Sequence, residues 1–126
     1  MRKLSTLWIG LTVGFFIPTT LAGQGYGQSI AVGDQEIFVG ESLNETSPGY
    51  VFVYHRDADG TWSEAQRLEA SNSAVGDHFG RALAYTGKHL LIGATALETI
   101  YVFAKDAGGL WTELSRNKRR ITIGCI

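Results

Sequence analysis

The chain has 126 residues, of which 44% are hydrophobic and 18% are charged, with 16 glycines and a single cysteine. Residues 23–115 carry five basic and 12 acidic side chains, a net charge of −7 that argues against a nucleic-acid surface, which needs Lys and Arg along a groove. Cys125 has no partner for an intramolecular disulfide, so the chain is not a disulfide-stabilised secreted scaffold. So many glycines in a short chain predict frequent turns and all-β structure.

The first 22 residues have the pattern of an export signal. Arg2 and Lys3 precede an apolar stretch over residues 7–17, and Thr20 and Ala22 supply small residues for a cleavage site, so we expect cleavage after Ala22. The alternative is an uncleaved membrane anchor, although the apolar stretch is shorter than the ~20 residues that span a bilayer. We expect an exported protein that is secreted, periplasmic or at the cell surface, and that meets a membrane only through an uncleaved signal segment.

Four short apolar runs follow the export signal, and each is separated from the next by a Gly-rich or polar turn. Their β-branched and aromatic residues and their lengths are typical of strands. The last run is the least apolar, which suits an outer, half-solvated strand. The predicted strands are residues 27–32, 36–40, 50–54 and 62–68.

The same order of strands recurs in the second half of the chain. Tyr26 aligns with Phe79 at an offset of 53 residues, and Trp62 aligns with Trp111 at an offset of 49, because the intervening loop is four residues shorter in the second copy. Length changes confined to a loop are typical of stacked or radial repeats. A repeat of about 50 residues with four strands predicts the blade of a β-propeller.

The motifs of the second copy also resemble a known family. Phe79-Gly80, Ile92-Gly93-Ala94, the apolar strand over 100–103 and Gly109-Leu110-Trp111 are similar to FG-GAP repeats, the blades of integrin α-subunit propellers and of many bacterial secreted proteins. Two copies cover residues 25–114, although the family's Gly-Ala-Pro element reads Gly40-Glu41-Ser42 and Gly93-Ala94-Thr95 here, without the proline. The resemblance implies an all-β fold, two four-stranded antiparallel blades of an incomplete propeller ring. It also implies a non-enzymatic binding module, whose loops contact a protein or carbohydrate partner.

These observations divide the chain into a signal peptide (1–22), a first blade (23–68), a second blade (69–116) and a basic non-repeat tail (117–126). Asn117 stands where Leu68 would recur, which suggests a frameshift or an interruption near Arg116 and a fragment of a larger propeller. The basic tail could alternatively bind nucleic acid or anionic lipid. Two blades cannot close a ring of typically four to eight, so exposed blade edges favour self-association.

No constellation of residues indicates catalysis, a metal site or a cofactor. The Asp57-Ala58-Asp59-Gly60 turn has too few carboxylates for a calcium loop, and the repeat loses one of them at residues 106–109. Acids in the loops have no matching base, and neither histidines nor serines fall in a zinc or nucleophile motif. We therefore predict that the chain is not an enzyme. The alternative is a fragment of a propeller enzyme whose catalytic residues lie in absent blades. The loop acids are Glu41, Glu45, Glu69, Asp77 and Glu98; the other residues considered are His55, His78, His89, Ser29, Ser63 and Ser73.

The repeated glycines and tryptophans have predicted structural roles. Gly27 and Gly80 are expected where the inner strand approaches its neighbours too closely for a side chain. Gly40 is expected to end a buried run where the backbone turns, as is its counterpart Gly93. Trp62 and Trp111 are expected to cover the face of a blade with their large apolar area, rather than to form a ligand cage.

Overall fold

The computed structural model describes residues 25–43 and 45–118. The predicted export signal and most of the basic tail lie outside these residues. In the described part of the chain, no helix has the length and apolar character needed to cross a membrane.

Within the described residues, eight strands form two separate four-stranded antiparallel sheets, each with its strands in chain order. Together with one short 3₁₀ turn at Thr95–Leu97, they confirm the all-β prediction. Sheet 1 contains β1 (Tyr26–Val32), β2 (Glu36–Glu41), β3 (Tyr50–Arg56) and β4 (Trp62–Leu68). Sheet 2 contains β5 (Phe79–Tyr85), β6 (His89–Ala94), β7 (Thr99–Lys105) and β8 (Trp111–Lys118).

The two sheets repeat each other in register as well as in strand order. The first strand of each sheet is bulged directly after its aromatic-Gly pair, between Tyr26 and Ser29 in β1 and between Phe79 and Ala82 in β5. A second bulge lies at equivalent places in the pairings of β3 with β4 and of β7 with β8. Because a one-residue slip would turn every following side chain to the other face, shared bulges mean that equivalent residues lie on equivalent faces.

Sheet 2 packs one of its faces against sheet 1. The ring of Phe38 in β2 lies 5.3 Å from that of Trp111 in β8 and 5.3 Å from that of Tyr85 in β5. The side-chain amide of Gln66 in β4 accepts a hydrogen bond from the backbone N–H of Trp111 (2.9 Å) and donates one to its carbonyl oxygen (2.7 Å). Buried residues of both sheets therefore form one continuous core.

The backbones of the two sheets approach each other closely where two glycines meet. A Cβ added to Gly80 would lie 2.8 Å from the Tyr50 carbonyl oxygen, and one added to Gly40 would overlap the Gly80 carbonyl oxygen. The prediction for Gly80 is thus confirmed. It is wrong for Gly27, whose Cβ would meet nothing within 4 Å; its φ of +78° is what favours glycine there. Gly40 lies inside β2 and not at a turn. Its lack of a side chain is needed because the Gly80 backbone lies where a Cβ of residue 40 would be.

The two tryptophans lie in different environments. Trp111 is 4% exposed because it lies between the sheets, whereas Trp62 is 42% exposed because no described residues cover its side of sheet 1. β8 continues to Lys118 and pairs with β7 up to that residue, so it extends into the segment assigned to the tail. Beyond Trp111 it is mostly exposed.

Candidate binding surface

The longer loops of both sheets lie at the same end of the strands. In an antiparallel meander, the connections after the second and fourth strands leave from one end and those after the first and third leave from the other. Residues 42–49, 69–78 and 95–98 therefore share one end, which we call the long-loop end. Four of the five acids singled out from the sequence lie in these loops, and Glu41 is the last residue of β2 beside them.

The 69–78 loop is held in place by hydrogen bonds to its own and neighbouring side chains. The Asp77 carboxylate accepts from the backbone N–H of Ala74 (2.7 Å), and Glu69 accepts from the hydroxyl of Ser73 (2.6 Å). Glu113 in β8 accepts from both the backbone N–H and the hydroxyl of Ser71, each at 2.9 Å. These carboxylates hold the loop in one conformation through hydrogen bonds, and they are not arranged with a base as an acid–base pair. The loop is therefore an ordered surface.

A buried tyrosine anchors the same loop from below. The Tyr101 hydroxyl donates a hydrogen bond to the Asn72 side-chain oxygen (2.8 Å), and burial raises the pKa of Tyr101 above its usual value. At the tip of the loop, Val75 is 61% exposed. The loop thus presents polar backbone and an apolar tip to solvent on a fixed base.

Two aspartates of the short turns at the other end accept hydrogen bonds from backbone N–H groups. Asp59 accepts from the backbone N–H of Thr61 (2.9 Å), an interaction that lowers the pKa of Asp59. The Asp106 carboxylate accepts from the N–H groups of Gly108 (2.8 Å) and Leu110 (3.0 Å). The interpretation of these segments as hairpin turns is confirmed. Within residues 25–43 and 45–118, no three His, Cys, Asp or Glu side chains are grouped so as to hold a metal ion.

The histidines and serines considered from the sequence are dispersed over the two sheets. His55 ends up near the end of β3, His78 precedes β5 with a φ of 58°, and His89 begins β6. Ser29 donates its hydroxyl hydrogen bond to the carbonyl oxygen of Gly80, and Ser73 donates to Glu69, so both hydroxyls serve packing and loop structure.

The side of sheet 1 that faces away from sheet 2 carries a cluster of aromatic and aliphatic side chains. The Tyr26 ring lies 5.5 Å from that of Phe52, and the Tyr26 and Tyr54 hydroxyls are hydrogen-bonded at 2.7 Å. That hydrogen bond, followed by burial, raises the pKa of Tyr26 to about 12. Despite these contacts the cluster is open to solvent. We call it the outer aromatic face; it comprises Tyr26, Ile30, Val32, Phe52, Tyr54 and Trp62.

The side of sheet 2 that faces away from sheet 1 contains an open apolar groove of about 290 Å³. Ala82, Gly93 and Ile100 are cross-strand neighbours that line it, and we call the face that they share the groove face. Sequence reasoning did not identify this groove, nor the outer aromatic face as a surface. The repeat alignment contained a signal for the groove, since Ala82 aligns with Ser29 and Ile100 aligns with Val51. The alignment does not tell which of the two copies has its face covered by another sheet.

Comparison with known proteins finds a match for one part of the chain. A family model described as an FG-GAP repeat matches residues 62–107. No curated protein and no solved structure matches the chain. The matched stretch begins with β4 of sheet 1 and continues through the three first strands of sheet 2 into the turn that follows β7. Residues 62–107 therefore match an FG-GAP repeat, in agreement with the resemblance drawn from the sequence for this part of the chain.

Proposed function

We propose that the chain is part of an exported, non-enzymatic β-propeller module that binds a protein or carbohydrate partner through the long-loop end. The packing of the two sheets supports the propeller part of this proposal. Equivalent faces of the two sheets point in the same direction, so sheet 2 packs on sheet 1 as one propeller blade packs on the next. Radial repetition of four-stranded sheets is the architecture of a propeller.

The single observation that carries the binding role is the fixed 69–78 loop. Its base is tied to sheet 2 through Asn72 and Ser71, while the Val75 tip stays exposed. Binding surfaces are commonly loops positioned by a rigid scaffold, and a loop that is already ordered loses little conformational entropy when it binds a ligand.

An immobilised array of glycans and extracellular proteins tests this role. The exported chain should retain a defined ligand, and Val75→Asp should weaken that binding at least tenfold. Asp34→Lys is the matched control at the opposite end, where it also changes an exposed side chain, and should bind as the parent does. Equal loss in both variants, or no retained ligand on the array, would contradict the assignment. Turnover of an array component would favour an enzyme instead.

Export needs a separate measurement. Expression in a bacterial host, followed by fractionation and N-terminal sequencing, should yield soluble periplasmic or extracellular protein that starts at Gly23. A chain that stays in the membrane fraction with residues 1–22 attached would overturn cleavage and support the anchor.

A further inference from the structure

We propose that copies of this chain associate head to tail, with the outer aromatic face of one copy docked on the groove face of the next. Each face is the register equivalent of one half of the contact that already joins sheet 2 to sheet 1. The proposal rests on that internal contact and not on the ligand proposed above.

The outer aromatic face matches the half of the internal contact that sheet 2 supplies. Phe79 packs its ring 5.3 Å from that of Tyr101, as Tyr26 packs on Phe52 in sheet 1. Phe79 is 0% exposed because sheet 1 covers it, whereas Tyr26 is 47% exposed. Ile30, Val32 and Trp62 occupy the places of Leu83, Tyr85 and Trp111, which are the side chains that sheet 2 packs toward sheet 1.

The groove face matches the half that sheet 1 supplies. Val51 is 0% exposed under sheet 2, and its equivalent Ile100 is 48% exposed. Gly40 leaves room for the backbone of Gly80, and its equivalent Gly93 leaves the same room empty, in the groove. The Tyr26-Gly27 pair, at the start of the outer aromatic face, has a suitable shape to occupy this space beside Gly93. Its equivalent, Phe79-Gly80, occupies the corresponding space beside Gly40 inside the chain.

A second copy of the chain is the occupant that carries the required complement. Each copy presents both halves, so the contact is heterologous, and repeating the internal rotation adds two blades per copy. Propeller rings close at typically four to eight blades, which corresponds to two to four copies. Large apolar faces left open on a soluble domain mark interaction sites.

One electrostatic difference between the internal contact and the proposed contact can be engineered. Inside the chain, Glu36 forms an ion pair with Lys105 (2.9 Å) and accepts a hydrogen bond from the Trp111 indole (3.4 Å). At the proposed contact the equivalents of Glu36 and Lys105 are His89 and Arg56. His89→Glu would therefore restore an ion pair across the contact.

Complementation between two blocked variants tests the proposal on the exported chain. Ile100→Asp puts a charge in the groove face, and Trp62→Glu puts one on the outer aromatic face. Analytical ultracentrifugation should show a concentration-dependent oligomer for the parent and a monomer for each variant alone. An equimolar mixture should form a dimer that grows no further, since each variant retains the half that the other lacks. Val75→Asp, at a loop tip on neither face, should assemble as the parent does.

His89→Glu should lower the dissociation constant by up to about fivefold, as expected for a single exposed ion pair. A parent that remains monomeric up to millimolar concentration would overturn the proposal. So would association that persists in both blocked variants, which would indicate pairing through strand edges, or a mixture that stays monomeric while circular dichroism shows both variants folded. Loss of ligand binding by Val75→Asp with assembly intact would separate this proposal from the binding role.

Discussion

Replacing Gly40 by alanine should destabilise the fold far more than the same change at its equivalent, Gly93. Neither glycine has a positive φ, so any loss at Gly40 comes from lack of space and not from backbone conformation. A Cβ at Gly40 would overlap both the Gly80 carbonyl oxygen and the Ser29 hydroxyl, so the sheets have to separate. Overpacking typically costs about 1–3 kcal/mol, and a backbone oxygen cannot rotate away as a side chain can, so we expect about 3 kcal/mol.

At Gly93 the nearest atom to a new Cβ is the Ala82 Cβ at 3.2 Å, on a face that no residue of 25–43 or 45–118 covers. Gly93→Ala should therefore change the free energy of unfolding by less than about 1 kcal/mol, of either sign, because alanine also restricts the unfolded chain. Gly40→Ala should lower the midpoint of thermal unfolding by about 12–24 °C. The midpoint is measured by circular dichroism at concentrations where the chain is monomeric. Equal midpoints for the two variants would refute the inter-sheet contact at Gly40.

Three further outcomes follow from named contacts. Trp111→Ala should lower the free energy of unfolding by about 3–5 kcal/mol, measured by urea denaturation of the monomer, whereas Trp62→Ala should lower it by less than about 1 kcal/mol. Gln66→Ala should cost about 1–3 kcal/mol in the same assay, because it removes both hydrogen bonds to the Trp111 backbone. The neutral form of Tyr26 is favoured by folding, so its stabilisation is complete below the ordinary tyrosine pKa of about 10 and is lost as the pH rises through about 12. Titration followed at 295 nm should show the high pKa move toward 10 in Tyr54→Phe; a titration unchanged by that substitution would exclude the hydrogen bond as its cause.

The strands and their order were predictable from the sequence because each has a local signal. A short β-branched or aromatic run bounded by Gly or Asp marks a strand, and two aligned copies make the assignment firmer than either alone. The β3–β4 turn was predictable for the same reason, since Asp57 and Gly60 are typical turn residues.

The environment of each repeated residue was not predictable, because it depends on what lies beside the sheet. Trp62 and Trp111 are the same residue at the same repeat position, yet only Trp111 has another sheet against it. Gly27 and Gly80 differ likewise, since only Gly80 meets a neighbouring backbone. A repeat alignment reports which positions are equivalent, whereas burial depends on the neighbours that each copy has.

The same reasoning sets the strength expected of the contact between copies. Inside the chain, residues 69–78 tether sheet 2 to sheet 1, and a short linker raises the effective concentration of two joined parts to the millimolar range. Between copies no such tether exists, and the polar Asn117 replaces the buried Leu68 while His89 replaces Glu36. An interface with an apolar centre, these more polar replacements and no tether should therefore form reversibly. A steep dependence of the average mass on concentration is the behaviour expected of it, whereas a mass independent of dilution would require an interface different from the one inside the chain.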